Sequence, residues 1–326
     1  MTPNGSTDDD GVAPAGRGPA DEAQPLRLQP LTRAKVGSLG VDGQAWLDRL
    51  PVVLAELAQQ WRVEIGRPLP GGSASYVVGA VGADGRPAVI KVVIDDAGLE
   101  LQTRTLRQAR GRGYARLYAF DAERRALLLE ALGQPLDHSR RSAEQRLDLL
   151  ADTLTLAWQR PDAAAEPQDK AAGLATLIRT WWPAQGRPCS EAVYRQALTF
   201  AERRSADPGE AVVVHGDPHP GNLLQLRSPR PGADTGYAFV DPDGFVADRA
   251  YDLGVVLRDW TSQLRGVDAP AVLRRYCARL ADRTGVAEQP IWEWGFVERV
   301  STGLYLKSFG ADGLAARFLS SAEALV

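Results

Sequence analysis

The chain has 326 residues, 44% hydrophobic and 24% charged, and because a single core usually splits beyond about 250 residues, two lobes are expected. Its 38 Lys and Arg against 41 Asp and Glu give a formal net charge of -3, a balance that repels a phosphate backbone and argues against nucleic acid as a partner. No apolar run approaches the roughly 20 residues of a membrane-spanning helix, and Cys189 and Cys277 stand outside any CxxC or CxxH pattern of the kind zinc needs.

The opening MTPNGSTDDDGVAPAGRGPADEAQP has neither a basic n-region nor an apolar h-region, which predicts a cytoplasmic protein. Its Gly, Pro, Ala and Asp offer little apolar surface to offset chain entropy, so residues 1–28 are expected to form a disordered tail. Trp46, Leu50, Val53, Leu54 and Leu57 then recur at helical spacing over residues 42–61, with Pro51 predicting a boundary between two short helices. From 62 to 94 the composition turns to β-branched and small residues punctuated by Gly71-Gly72 and by Asp84-Gly85, which predicts three antiparallel strands.

A polar helical stretch through Gln108 follows, and RLYAFDAERRALLLEAL supplies two more strands around a charged turn. Five strands and a helix make an N-terminal lobe over residues 29–132. Residues 133–326 read as a mostly helical second lobe, opened by a capping box at Ser142 and Gln145 with Leu147, Leu150, Leu154 and Trp158 behind it. One β-rich island interrupts it between 212 and 245, where VVVHGD and YAFVDPDG each run an apolar strand into acidic residues. Strand ends hold such carboxylates rigidly at a cleft.

In HGDPHPGN, Asp217 precedes Asn222 by five positions, and a second apolar-flanked acid follows at Asp241. That is the spacing of a kinase catalytic loop, in which an Asp meets the acceptor hydroxyl and an Asn and a later Asp bind magnesium through hard oxygen donors. His215 is read as holding the loop through hydrogen bonds, and His219 as local scaffolding, since Asp217 already fills the role of base. Upstream, LPGGSASYVVGAV and VIKVV place a glycine-bearing turn between strands and Lys91 on the third strand, where a point charge meets nucleotide phosphates.

With these motifs in order, the chain resembles the aminoglycoside phosphotransferase family. LPGGSASYVV, Lys91, ALLLEAL, HGDPHPGN and VDPDGFVADRAYDLG carry the likeness, and WLDRLPVVLAELAQQW with GRGYARLYAFDAERRALLLEAL narrows it to the streptomycin 6-phosphotransferase and hydroxyurea phosphotransferase branch. The resemblance implies an α+β, bilobal protein-kinase-like fold with a small antiparallel-sheet N-lobe and a larger helical C-lobe. It implies ATP and Mg2+ as cofactors, Asp217 as catalytic base, Asn222 and Asp241 as metal ligands, and Lys91 on the phosphates. Gly71, Gly72 and Ser73 would cover the phosphates, and backbone groups of Glu130 and Leu132 would meet the purine edge. Glu100 is the helix acid available to pair with Lys91, although the family register puts Gln102 there. Where the branch has Lys, this chain has Asp243, a third carboxylate that would serve either magnesium or a cationic substrate.

The implied function is phosphorylation of a hydroxyl on a small molecule, an antibiotic such as a streptomycin-like aminoglycoside, by a monomer or homodimer. Asp259, Glu293 and Glu298 are candidate pocket acids for an ammonium-rich substrate, while Trp181, Trp182, Trp260, Trp292 and Trp294 read as core or cleft wall. A kinase of another hydroxylated natural product or metabolite keeps every motif. An inactive nucleotide-binding pseudokinase would be expected to lack one of Lys91, Asp217, Asn222 or Asp241, and all four are present.

Overall fold

The computed structural model describes residues 26, 28–70, 74–95 and 97–326. Two helices, α1 (Pro30–Ser38) and α2 (Gly40–Trp61), lead into the sheet. The expected break at Pro51 does not occur, and α2 runs through it. An interior proline costs about 3 kcal/mol, whereas each fully buried Val or Leu contributes about 1.5–3 kcal/mol. Leu50, Val53, Leu54 and Leu57 bury together against the sheet, and that burial outweighs the local loss.

The sheet contains β1 (Val63–Pro68), β2 (Ser75–Gly82), β3 (Pro87–Val93), β4 (Leu117–Asp121) and β5 (Ala126–Glu130), with α3 (Leu99–Ala109) between β3 and β4. Its order is β1-β2-β3-β5-β4, antiparallel throughout. Ala88, Ile90 and Val92 join Tyr76, Val78, Ala126 and Leu128 in the core under α2. The alternate residues Val93, Leu127 and Leu129 belong to the larger core shared with the C-terminal lobe. Strand alternation therefore turns Lys91, flanked by Ile90 and Val92, toward the second lobe. Leu26 and Leu28, assigned by sequence to the tail, are half-buried against the α2 core, so docking begins before the expected boundary at residue 28.

The second lobe is built from α4 (Ala143–Ala157), α5 (Lys170–Ala184), α6 (Glu191–Ala206), α7 (Arg249–Arg258), α8 (Ala269–Thr284), α9 (Glu288–Ser308) and α10 (Asp312–Glu323). The Ser142–Gln145 capping box starts α4, with both reciprocal bonds formed. The acidic island folds into two short ribbons, β6 (Ala211–Val213) with β9 (Val246–Asp248), and β7 (Leu223–Gln225) with β8 (Tyr237–Phe239).

Helix α7 crosses α9 at Gly254, where any Cβ would strike Trp294 and the Gly295 amide nitrogen. The fully buried Arg299 ties the pair together by donating to the Leu257 carbonyl at 2.6 Å and the Gly295 carbonyl at 3.3 Å. Trp182, Trp260 and Trp294 are buried in this core and Trp181 and Trp292 are half-buried on it. Cys189 and Cys277 are buried free thiols whose pKa values burial pushes up to about 11 and about 12. No described helix is long and apolar enough to cross a membrane.

Candidate active site

The loop between β6 and β7 carries HGDPHPGN. His215 is fully buried, stacked on Tyr114 with ring centroids 5.9 Å apart and edge-on to Phe239 at 4.7 Å. Its Nδ1 accepts from the Asp217 amide at 3.2 Å, while Nε2 lies 3.0 Å from the Val240 carbonyl. A carbonyl only accepts, so Nε2 carries the proton and the ring is neutral. Burial agrees, pushing its pKa down to about 4. His215 thus clips the Asp217 backbone to the strand that delivers Asp241.

Asp252, in α7, was not singled out from sequence. It is fully buried and accepts from the amides of His215 and Gly216 at 2.8 Å each and from Trp158 Nε1 at 2.8 Å. Burial pushes its carboxyl up to about 6 against those donors. Its sequence signals were an acid inside the apolar run AYDLGVVL and its place in the VDPDGFVADRAYDLG motif.

The Asp217 side chain bonds Arg258 Nη2 through Oδ1 at 2.7 Å, and its Oδ2 lies 3.5 Å from His219 Nε2. Burial alone would raise its pKa; the charges of Arg258 and His219 and the Arg258 hydrogen bond outweigh that and hold it below the usual carboxylate range. His219 accepts from the Gly221 amide through Nδ1 at 3.1 Å, a local scaffolding role. Asn222 donates Nδ2 to the Asp217 carbonyl at 3.0 Å, and its own carbonyl accepts from the Val240 amide at 2.9 Å. With the NH2 group spent on Asp217, the side-chain oxygen Oδ1 is the end left for a hard cation.

Across the cleft, Lys91 Nζ meets Asp241 Oδ1 at 2.7 Å and Gln102 Oε1 at 3.4 Å. Glu100 does not fill the helix-acid role that sequence offered it. Its side chain is 85% exposed and pairs with Arg104, because two helical positions turn it roughly 200° around α3 from Gln102. Asp241 adopts φ +56°, in the left-handed region that non-glycine residues rarely occupy. Gly244 behind it packs so closely on α3 that a Cβ would strike Thr105 Oγ1 and the Leu101 carbonyl.

Gly71, Gly72 and Ser73 lie outside the described residues. At the hinge, the Glu130 carboxylate is held by Arg230 at 2.8 and 2.7 Å, and its N–H donates to the Arg116 carbonyl at 2.8 Å. Any backbone contact of Glu130 with a purine therefore falls to its carbonyl. Leu132 packs against Leu226, Ala233 and Ala238.

The candidate pocket acids separate. Glu293 is fully buried and ion-paired with Arg203 and Arg204, the latter at 2.6 Å, so it belongs to the lobe's interior rather than the cleft. Asp259 and Glu298 instead surround Arg258, with Arg258 Nε 3.1 Å from Asp259 Oδ1 and Nη1 3.7 Å from Glu298 Oε2. Asp243 keeps an accessible surface although protein surrounds it on most sides. Desolvation there, with the charges of Asp217, Asp241 and Glu298 and against that of Lys170, pushes its pKa up to about 6. No group of three or more His, Cys, Asp or Glu is arranged to hold a metal among the described residues. Asp241 and Asn222 fit magnesium in another way, since that ion takes one or two protein oxygens and completes its shell with phosphate and water.

A small antiparallel sheet presenting a lysine to an acid-bearing loop on a helical lobe defines a phosphotransferase of the protein-kinase-like fold. Residues 60–310 match the aminoglycoside/hydroxyurea antibiotic resistance kinase family, and the chain belongs to it. It is 24% identical over 306 residues to a streptomycin 6-kinase of Streptomyces glaucescens, covering 91% of this chain and 96% of that one. It is 27% identical over 222 residues to a hydroxyurea phosphotransferase of Kitasatospora aureofaciens, covering 66% and 62%. Among solved structures, a choline kinase from Streptococcus pneumoniae shares the fold with a TM-score of 0.57 at 14% identity, covering 85% of this chain and 99% of that one.

Proposed function

We propose that this kinase transfers the γ-phosphoryl group of ATP to a hydroxyl of a small-molecule antibiotic, of which a streptomycin-like aminoglycoside is the leading class. One observation carries the reading: hydrogen bonds through His215, Asn222 and Val240 join Asp217, Asn222 and the Asp241 strand end into one unit, which Lys91 meets from the other lobe.

The acceptor oxygen attacks the γ-phosphorus as the bond to the β–γ bridging oxygen breaks. ADP departs, and the acceptor proton passes to Asp217. A carboxyl with a depressed pKa is a weak base, which suits a loose transition state where orientation matters more than early proton removal. Asn222 Oδ1 and the Asp241 carboxylate would hold magnesium, which would supply charge neutralisation at the phosphates. Lys91 would add a positive charge there, the Glu130 carbonyl and Leu132 amide would meet the purine edge, and the family resemblance assigns Gly71, Gly72 and Ser73, outside the described residues, to the phosphates. Asp243 is exposed beside Asp217 and Glu298, whose charges act on it, and it is assigned to the acceptor side, where a carboxylate favours an ammonium or guanidinium.

The test is phosphorylation by purified protein with magnesium and ATP against aminoglycosides, other hydroxylated antibiotics, hydroxyurea and sugars, followed by product mass. An aminoglycoside phosphate is expected. Asp217→Ala should bind ATP and lose about 10²–10⁴-fold in turnover. Phosphorylation of sugars alone would replace the antibiotic reading, and full turnover by Asp217→Ala would remove its catalytic centre.

A further inference from the structure

We propose that Arg258 is a positioning residue for phosphoryl transfer: its guanidinium holds Asp217 by Oδ1, so that Oδ2 is the oxygen presented to the acceptor hydroxyl. The inference rests on the phosphotransferase reading of the cleft.

Arg258 is the last residue of α7, where a cation complements the partial negative charge of a helix C-terminus. Its side chain is 16% exposed, against 39% for that of Asp217, so the guanidinium lies behind the carboxylate rather than in front of it. Three carboxylates surround it. Nη2 bonds Asp217 Oδ1 at 2.7 Å, Nε bonds Asp259 Oδ1 at 3.1 Å, and Nη1 is 3.7 Å from Glu298 Oε2. Glu298 is itself nearly buried and fixed by the Tyr251 hydroxyl, which donates to Oε1 at 2.8 Å. Each of its three nitrogens thus has a carboxylate beside it, and the guanidinium has little freedom to rotate.

A purely structural salt bridge would tie the loop to α7. That task is already done by Asp252, which binds the backbone amides of His215 and Gly216 from one and a half turns earlier on the same helix. Among the described residues, Arg258 bonds the Asp217 carboxylate and not the backbone of the loop. What it adds is the orientation of one side chain, and a displacement of about 1 Å at a reacting group can cost about 10²-fold in rate. Oδ2, left by this arrangement, has His219 Nε2 at 3.5 Å.

The experiment uses the full chain as wild type, Arg258→Ala, Arg258→Lys and Glu298→Gln. With an acceptor that wild type phosphorylates, Arg258→Ala is expected to lower kcat about 10- to 100-fold with less than about a twofold change in KM for ATP. Arg258→Lys and added guanidinium chloride should each restore part of the loss, and Glu298→Gln should show a smaller loss of the same kind. Crystal structures of wild type and Arg258→Ala give a readout that needs no acceptor: Asp217 should leave its wild-type orientation when the arginine is gone. Unchanged kcat, a matching rise in KM for ATP without guanidinium rescue, or an unmoved Asp217 carboxylate would overturn the proposal. If Arg258→Ala does not fold, the Lys and Glu298→Gln variants decide by the same kcat-against-KM comparison. If wild type phosphorylates nothing, the phosphotransferase reading falls, and the crystal comparison still decides whether Arg258 orients Asp217.

Discussion

Lys91 and Asp241, 150 positions apart in the chain, are joined by a 2.7 Å ion pair that spans the two lobes. Each is the other's counter-charge, and the proposed metal ligand is therefore engaged by the proposed phosphate-binding lysine. Gln102, at 3.4 Å, offers Lys91 only a neutral acceptor, which competes poorly with a carboxylate.

Replacing Gln102 with Glu gives Lys91 a second anion and loosens its hold on Asp241. The magnesium concentration for half-maximal activity should fall by about two- to fivefold, since a released carboxylate is a better ligand for a hard cation. Asp241→Ala and Asn222→Ala should raise it. Magnesium titrations of the variants measure this, and an identical midpoint for Gln102→Glu and wild type would show that the ion pair does not restrain Asp241.

Acid sensitivity should carry the signature of His215. Its folded pKa, about 4, lies below the ordinary 6.5, so the unfolded chain takes up the proton first as pH falls. The stabilisation is complete above pH 6.5 and is lost as pH falls toward 4, amounting to about 3 kcal/mol. His215→Gln should start less stable at pH 7 but lose less between pH 7 and 4. Denaturant unfolding at several pH values reads the difference, and parallel profiles would refute it.

Asp243, which by sequence could serve either magnesium or a cationic substrate, and Glu293, a candidate pocket acid, should respond differently to mutation. Asp243 ionises near pH 6, so KM for a cationic acceptor should fall as pH rises from 5.5 to 7 and should rise with ionic strength. Asp243→Lys should change acceptor preference more than KM for ATP. Glu293→Gln should leave acceptor preference intact and cost about 3–5 kcal/mol, because Arg204 loses its buried partner. Steady-state constants beside thermal melts separate the two, and a shift in acceptor preference in Glu293→Gln would contradict its placement.

At the N-terminus, removing residues 1–28 should lower the melting temperature by a few degrees relative to removing 1–25, because Leu26 and Leu28 pack on the core beneath α2. Equal melting temperatures for the two truncations would show that these contacts contribute nothing.

What the sequence by itself determined is local in origin. Alternation over a strand set the face of Lys91, the capping box at Ser142 and Gln145 started α4, and the five-residue spacing of Asp217 and Asn222 within one loop let the Asn222 amide bond the Asp217 carbonyl. Each depends on neighbours within a few positions, where backbone geometry leaves few choices. Tertiary structure decided the rest. Pro51 remained inside α2 because packing outweighed propensity. Gln102 rather than Glu100 reached Lys91 because the phase of α3 against the sheet selects one of two residues on opposite sides of a turn. Glu293 was buried on arginines while Asp243 stayed at the cleft, and Asp252 and Arg258 came to meet the catalytic loop, one at its backbone amides and the other at the Asp217 carboxylate, from a helix more than thirty positions downstream. Charges so distant in sequence acquire partners only when the chain closes, and no periodicity records which helix face will meet which loop.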